Sequence, residues 1–360
     1  MGEHQRAPFI GLDFMRGAAA LAVCLAHVRG SSFVEYGALP ATSQTGLVAA
    51  FYGLTRLGHE AVMVFFVLSG FLVGGQVLRR ARSGTFVLRD YAIERSSRIF
   101  TPLIPACLLT VALQSIAFKS APEWWLLPIN ILGLNNVIAP TLSGNAPLWS
   151  LAYEIWFYVV AGAAAYLIVT RSVTAFVALA FGILIFSILD ARFLAFWCLG
   201  AFAIFLPEKP KGAAALGVLL VAVGIVTFEL SSASKSFASI AYLPPAASET
   251  LICAGAAFLL PVMCSVEAGA ALAFVRRPVK YLSKISYTLY LVHYPINTAL
   301  ESVFPKSLDI SFAGIVQFVA RRLVIFVCVH GLYLAFEANT PKIRRWIRSA
   351  ISDPGYAANA

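Results

Sequence analysis

Residues 58–75 read GHEAVMVFFVLSGFLVGG, and residues 79–98 read RRARSGTFVLRDYAIERSSR. The first stretch is an apolar run of the length that crosses a bilayer as a helix. The second stretch places six arginines directly behind that run. A membrane helix that delivers these arginines to one membrane face fixes the orientation of the chain. It also predicts a cationic surface at which a phosphate-rich cofactor can dock.

The composition of the whole chain predicts a helical membrane protein. Of its 360 residues 60% are hydrophobic and only 12% are charged, whereas a soluble domain carries about 25% charged residues. Apolar segments of bilayer-spanning length recur along the chain, and they predict an all-α bundle of about ten transmembrane helices. This bundle forms a single domain, residues 1–348, followed by a short tail at 349–360 that is expected to be disordered. The predicted spans are 10–28, 60–78, 99–117, 147–169, 173–189, 192–206, 213–229, 249–265, 282–300 and 313–337.

The net charge of +10 is explained by topology rather than by nucleic-acid binding. If the N-terminus starts in the cytoplasm and the ten spans alternate, most of the 27 lysines and arginines fall on the cytoplasmic side. This asymmetry predicts that both termini are cytoplasmic. The six cysteines are scattered singly, so we interpret them as small core residues and expect no metal site or disulfide framework.

Charged and polar residues inside a span are costly and usually functional. In the first span, LDFMRGAAALAVCLAH (residues 12–27), Arg16 and His27 lie eleven residues apart. At 100° per residue they fall within about 20° of one helix face, ~16 Å apart along the axis. One stripe therefore carries a cation near the inner surface and an imidazole towards the outer leaflet. The alternative is a structural histidine that packs between helices and forms a hydrogen bond with a neighbouring helix.

The fourth and ninth spans carry the other polar stripes. In PLWSLAYEIWFY (147–158), Ser150, Glu154 and Tyr158 recur at four-residue spacing on one face. A carboxylate at that depth must find a partner or take up a proton, and a structural ion pair is the competing interpretation. In SYTLYLVHYP (286–295), a shared face carries Ser286, Tyr290 and His293, with a proline kink just beyond. Such residues can also simply satisfy carbonyls freed by the kink.

Two of the six arginines stand apart from the rest. Arg95 and Arg98 lie three residues apart at the mouth of the third span, so we expect them to face the bundle together. Paired arginines suit phosphate through bidentate contacts. The alternative for the whole basic segment is topology plus attraction to anionic lipid headgroups.

These segments together resemble the acyltransferase 3 family, bacterial integral-membrane O-acyltransferases that acetylate surface glycans and related molecules. The resemblance covers nearly the whole chain. It rests on six blocks in the family's order: LDFMRGAAALAVCLAH, GHEAVMVFFVLSGFL, ERSSRIFTPLIPA, PLWSLAYEIWFY, SYTLYLVHYP and FEANTP. One departure is the pair His59-Glu60, where the family more often has smaller or less charged residues.

The resemblance implies a donor, an acceptor and roles for named residues. Cytoplasmic acetyl-CoA would rest its phosphates on Arg95 and Arg98, with Arg16 deeper. His27 would act as general base on a sugar hydroxyl of a cell-surface or exported glycan, at the bacterial inner membrane. Glu154 or Tyr158 would orient the imidazole or hold its proton, through a pairing of Glu154 with His27 or with a buried arginine. The expected substrate-binding residues are Trp149, Ser150, Tyr290 and His293.

A second class of function is consistent with the same polar residues. Intramembrane histidine, glutamate and arginine are also the parts of a proton-coupled small-solute transporter. Transporters often show repeated halves with paired broken helices, and the chain shows no such symmetry.

Overall fold

The computed structural model describes residues 9–207, 212–233, 244–306 and 310–352, and these residues contain no β-strand. The prediction of an all-helical chain is therefore confirmed. A π-helical stretch, Gly70–Gly75, joins the third helix to the fourth. The helices in chain order are α1 (Ile10–Ser32), α2 (Gly46–Thr55), α3 (Gly58–Ser69), α4 (Gln76–Arg82), α5 (Leu88–Ile116), α6 (Leu126–Ile131), α7 (Trp149–Thr170), α8 (Val173–Ile185), α9 (Ala191–Ala203), α10 (Ala213–Ala233), α11 (Pro245–Met263), α12 (Val266–Ala271), α13 (Arg276–Ala299), α14 (Phe312–Ala335) and α15 (Thr340–Ser352).

Six helical stretches in the described part of the chain are long and apolar enough to cross a membrane. Shorter apolar helices cover Val173–Ile185, Ala191–Ala203 and Ala213–Phe228. Each predicted span overlaps at least one helix, and the span 60–78 covers most of α3, the π-helical stretch and the start of α4. Helix α13 falls outside both groups because its first half is basic and its second half is rich in polar side chains. The six are Ile10–Ser32, Gly46–Arg82, Leu88–Ile116, Ala146–Thr170, Pro245–Met263 and Phe312–Ile351.

The predicted basic loop at 79–98 is mostly helical. Helix α4 continues to Arg82 and α5 begins at Leu88, so only residues 83–87 connect them. The predicted third span begins at residue 99, eleven residues after the start of α5, because the first part of α5 is polar. This polar part extends the helix beyond the bilayer-spanning segment. The C-terminal helix α15 likewise runs to Ser352, past residue 349 where the tail was expected to begin, and residues 353–360 lie outside the described residues.

The helices pack as two units. The first contains the described residues of 1–22, 58–79 and 190–286. In this unit α3 and α9 cross so closely that a side chain at Gly70 would collide with the carbonyl oxygen of Trp197, and one at Gly200 with that of Val67. Small residues allow such close backbone approach between membrane helices. Phe66, Phe193 and Phe196 continue the aromatic packing beside this crossing.

The first unit also holds an ionic cluster that involves His59. The Nε2 atom of His59 lies 2.8 Å from the buried carboxylate of Glu249, and its ring stacks on Phe228. Arg192 donates to the other oxygen of Glu249 at 3.1 Å and also binds Asp190. The hydrogen bonds from Arg192 lower the pKa of Asp190. His59 thus contacts Glu249 directly and is linked through it to Arg192 and Asp190, all of which lie far away in sequence.

The second unit contains the described residues of 23–57, 80–189 and 287–360. Helix α5 packs against α6, α7 and α15 in this unit, and α7 packs against α8. One aromatic cluster of its core joins Phe33, Phe51 and Phe318, with ring centroids 5.5–6.0 Å apart. A second is the parallel stack of Phe157 on Phe186. These contacts bury large apolar area and hold the helices that carry the candidate site.

A long connection between α5 and α7 is organised by one carboxylate. Glu123 accepts hydrogen bonds from Gln114 Nε2 at 2.8 Å, from the Ser143 backbone N–H at 2.9 Å and from Ser143 Oγ at 2.8 Å. Burial works to raise the pKa of Glu123, but the hydrogen bonds from Ser143 and Gln114 outweigh it and lower the pKa. The apolar segment at 124–138 forms only the short helix α6 within this connection.

Candidate functional site

The second half of α13 carries a column of polar side chains. From Thr288 to Asn297 the column covers ten residues, a rise of about 13.5 Å along the helix. Its polar side chains meet residues of α1, of α7 and of the α14 region in the second unit. Because this helix is buried along much of that length, the column forms a polar path through an otherwise apolar core.

The column begins at Thr288, which contacts the end of α14. Its backbone N–H donates to Glu337 Oε2 at 3.0 Å, and its hydroxyl donates to the same oxygen at 2.5 Å. The hydroxyl of the preceding residue, Tyr287, is buried and has no hydrogen-bond partner among the described residues. Glu337 belongs to the FEANTP block, one of the six blocks that resemble the family. Glu337 itself was not predicted to be a site residue.

The next pair joins α13 to the start of α7. The hydroxyls of Tyr290 and Ser150 lie 2.6 Å apart, and both lie within hydrogen-bond distance of the Pro147 carbonyl oxygen. Both residues are buried. The structure therefore brings these two predicted substrate-binding residues together, with their hydroxyls already engaged. Trp149, the third from this region, packs edge-to-face on Tyr153.

Two imidazoles meet at the centre of the column. The rings of His27 and His293 have centroids 5.4 Å apart, and Tyr294 packs edge-on against His27 at 4.9 Å. His293 Nδ1 lies 2.8 Å from the Leu289 carbonyl oxygen and 2.9 Å from that of Tyr290. Carbonyl oxygens only accept hydrogen bonds, so Nδ1 carries the proton in neutral His293 and Nε2 keeps its lone pair.

The free lone pair of His293 is unusual for a buried group. Its Nε2 atom is buried and has no hydrogen-bond partner in the described part of the chain. Buried polar atoms are normally hydrogen-bonded. His27 is half-buried, and no described residue forms a hydrogen bond with its ring. The pair therefore offers the ring nitrogens of His27 and the Nε2 atom of His293, to which no described residue forms a hydrogen bond.

The column ends at a cavity of about 470 Å³ beside His27. Asn297 Nδ2 donates to Ser31 Oγ at 2.8 Å, and Arg321 donates to the same hydroxyl at 2.7 Å. Neither Asn297 nor Arg321 was predicted from the sequence. The signal that could have found Arg321 is the Arg-Arg pair inside an otherwise apolar span. The cavity is lined by Ala26, His27, Gly30, Ser31, Tyr294, Asn297, Glu301, Phe304, Lys306 and Arg321.

A second polar group in this unit lies between α5 and α7. The hydroxyl of Tyr158 donates to Glu154 Oε1 at 2.5 Å, and the guanidinium of Arg95 lies 5.6 Å from the centroid of the Tyr158 ring. The Tyr91 hydroxyl donates to the Tyr158 carbonyl oxygen at 2.8 Å. Arg95 also forms an ion pair with Glu94. The three residues Arg95, Tyr158 and Glu154 thus form one chain of contacts.

This geometry corrects one expectation. Glu154 forms no hydrogen bond or ion pair with His27 or with an arginine among the described residues, and Tyr158, one turn further along α7, binds its carboxylate instead. Arg95 and Arg98 differ in exposure. Arg95 is half-buried beside Tyr158, whereas Arg98, three residues further along α5, is exposed but still interacts electrostatically with the same Tyr158. Arg16 also lies on α1, but it belongs to the first unit.

The basic face of α5 is extended by α15. Arg344 donates to Ser97 Oγ at 3.2 Å, and Arg348 lies 3.9 Å from Asp90. Arg80, at the end of α4, lies 3.8 Å from Glu94. Arginines from three elements therefore converge around the first half of α5, which fits a ligand that carries several phosphates.

The chain belongs to the acyltransferase 3 family, because the family model for the acyltransferase domain matches residues 9–348. Acyltransferase MdmB from Streptomyces mycarofaciens is 32% identical over 150 residues, which cover 41% of this chain and 36% of that relative. The chain thus matches well under half the length of this curated relative. No solved structure matches significantly. The family match and the apolar helices together indicate a multi-pass membrane protein that carries the acyltransferase domain of this family.

Proposed function

We propose that this chain moves an acetyl group from cytoplasmic acetyl-CoA to a sugar hydroxyl of a cell-surface or exported glycan. The observation that carries the proposal is the His27–His293 pair at the centre of the polar column, because His27 also lines the cavity. Family membership supports the acyl-transfer chemistry. What we propose beyond the family's chemistry is that acetyl-CoA is the donor and that a glycan is the acceptor.

The proposed transfer uses His27 as general base. The acceptor hydroxyl gives its proton to His27 as its oxygen attacks the acetyl carbonyl carbon. The bond from that carbon to the CoA sulfur then breaks, and the proton passes from His27 to the departing thiolate. A positioned general base contributes ~10²–10⁴-fold to rate. The centroid of the His293 ring lies 5.4 Å from that of the His27 ring, and its Nε2 atom has a lone pair. His293 would share the proton that His27 holds between its removal from the acceptor hydroxyl and its transfer to the thiolate.

The donor would bind at the arginines around α5. Exposed Arg98 and half-buried Arg95 would contact the phosphates, with Arg344 from α15 beside them. Arg16 is kept as a donor-binding residue on the family resemblance alone. Charge-assisted contacts with phosphate are about twice as strong as neutral hydrogen bonds. Glu154 and Tyr158 would then hold Arg95 in position between donor and reaction centre.

The proposed topology has ten membrane spans with both termini in the cytoplasm of a bacterial inner membrane. It includes the three shorter apolar helices α8, α9 and α10 and the polar helix α13. Helix α13 would cross the membrane inside the bundle, where its polar side chains meet protein partners instead of lipid. The basic segment from Arg79 to Arg98 would lie on the cytoplasmic side, where lysine and arginine accumulate.

The direct test uses the purified protein in liposomes that are supplied with acetyl-CoA and soluble glycan acceptors. We expect release of free CoA and formation of an acetyl ester on the acceptor. His27→Ala should abolish both, while the matched control His330→Ala should keep both. Solute flux without thioester consumption would contradict the proposal and favour a transporter.

A further inference from the structure

We propose that the cavity beside His27 selects an acidic acceptor, in which Arg321 binds a carboxylate of the same sugar whose hydroxyl reaches His27. This inference rests on the proposed function, since it concerns the acceptor of that reaction. It adds the chemical class of the acceptor, an acidic sugar such as a uronic acid.

The first observation is the burial of Arg321 without a counter-charge in contact. The residue is only 1% exposed. Its guanidinium donates to Ser31 Oγ at 2.7 Å, to Asn297 Oδ1 at 3.4 Å and to the carbonyl oxygen of Phe304. All three acceptors are neutral, and no carboxylate among the described residues forms an ion pair with Arg321. A buried charge is costly unless it is paired.

The second observation is that Arg321 lines the cavity and does not lie behind it. The cavity volume of about 470 Å³ falls within the range of small-molecule sites, roughly 300–1,000 Å³. The remaining charges of the lining, Glu301 and Lys306, are exposed and opposite in sign. Because these two charges are exposed and oppose each other, the buried guanidinium of Arg321 is the fixed positive charge inside the cavity. Arginine recognises carboxylates by two parallel hydrogen bonds.

The third observation is the spacing between Arg321 and His27. Ser31 lies one helical turn after His27, and its hydroxyl is 3.2 Å from the His27 carbonyl oxygen. Arg321 binds that same hydroxyl. The guanidinium is therefore offset from His27 by about one turn of helix, ~5.4 Å along α1. A single pyranose ring bridges such a distance between one of its hydroxyls and a carboxylate on another carbon.

A neutral sugar fits this geometry less well. Asn297 and Ser31 can accept hydrogen bonds from hydroxyls, but a neutral acceptor would leave the guanidinium without a carboxylate in direct contact. Its remaining counter-charge would be the exposed Glu301 of the lining, which interacts with Arg321 electrostatically but forms no ion pair with it. A phospholipid headgroup carries similar anionic chemistry and could reach an open cavity. The experiment therefore has to separate a sugar from a lipid.

The test measures binding directly, so that it does not depend on acyl transfer. The full chain is reconstituted in nanodiscs of zwitterionic lipid, and methyl glucuronide and methyl glucoside are titrated by calorimetry. We expect the acidic sugar to bind at least tenfold more tightly. Arg321→Gln should remove this preference, and Arg321→Lys should keep part of it. The adjacent Arg322→Gln is the matched control, since Arg322 lies over the Phe318 ring and outside the cavity lining, and it should keep the preference.

Each other outcome has a defined meaning. Equal binding of the two sugars, no binding of either, or a preference that survives Arg321→Gln would overturn the inference. Melting temperatures identify a variant that has failed to fold. In that case the test rests on whether the parent protein binds methyl glucuronide more tightly than methyl glucoside. If anionic lipid abolishes the sugar preference, Arg321 serves a lipid headgroup instead. A clear preference without acetyl transfer to any acceptor would reject the proposed function and leave the acidic site standing.

Discussion

The side-chain amide of Asn145 donates a 3.0 Å hydrogen bond to the carbonyl oxygen of Leu291. Pro295 follows Leu291 by four residues inside α13, and proline has no N–H to complete that helical bond. Asn145 therefore supplies the missing donor from the start of the α7 region. Its second amide N–H donates to Thr110 Oγ1 at 3.1 Å, so it also joins α5 to α13.

This relationship predicts non-additive effects on stability. Asn145→Leu leaves the buried Leu291 carbonyl without a donor and should lower the free energy of unfolding by roughly 1–3 kcal/mol. Pro295→Ala restores the helical N–H, so the cost of Asn145→Leu should be smaller in that background. Thermal unfolding of the two single variants and the double variant in detergent measures the coupling. Strictly additive effects would show that Asn145 does not replace the missing helical donor.

His27→Ala is expected to abolish acetyl transfer in a protein that still folds and binds acetyl-CoA. The reason is its place at the cavity, with ring nitrogens to which no described residue forms a hydrogen bond. Turnover and melting temperature should be measured on one preparation, with His330→Ala as the control. A rate within about threefold of the parent, far below the usual contribution of a general base, would exclude His27 as the base. His293, with its free Nε2, would then be the next candidate.

Arg95→Ala and Arg98→Ala should weaken acetyl-CoA binding more than Arg79→Ala. A lost charge-assisted phosphate contact costs roughly 1.5–3 kcal/mol, which is tenfold or more in affinity. Arg79 instead donates to the Ile204 carbonyl oxygen at 2.7 Å within the first unit, so its loss should act mainly on stability. Calorimetric titration with CoA compares the three variants. Small and equal effects would favour a purely topological role for these arginines.

Glu154→Gln should reduce turnover strongly with little loss of thermal stability. The variant keeps an acceptor for the Tyr158 hydroxyl but removes the charge beside it. Tyr158→Phe is the matched variant, because it removes the hydrogen bond and leaves the carboxylate. Activity and melting temperature should be measured on the same sample. A stable and fully active Glu154→Gln would remove this residue from the site.

The proposed topology predicts that single cysteines at Ser83 and Ser120 label from opposite sides of the membrane. Ser83 lies in the connection between α4 and α5, and Ser120 follows the far end of α5. An impermeant thiol reagent applied to intact cells with a permeable outer membrane should reach only Ser120→Cys. Labelling of both positions from the periplasm would overturn the topology and, with it, the cytoplasmic donor site.

The sequence by itself determined the helical membrane architecture and the polar residues worth attention. Apolar length and helical period are local properties, so they placed a helix at each predicted span and marked His27, Glu154, Tyr290 and His293 as intramembrane polar groups. The same period predicts which residues share a face of one helix. It carries no information about which face of another helix lies opposite.

The partners of these residues were decided only by tertiary packing. Glu154 was expected to bind His27 or an arginine, yet its carboxylate is held by Tyr158 on its own helix. His27 instead meets His293 and Tyr294 from α13. Arg321 joins them through Ser31, across 290 residues of sequence. A charge inside a membrane span must find a partner because lipid cannot solvate it, but which partner it finds depends on how the helices pack.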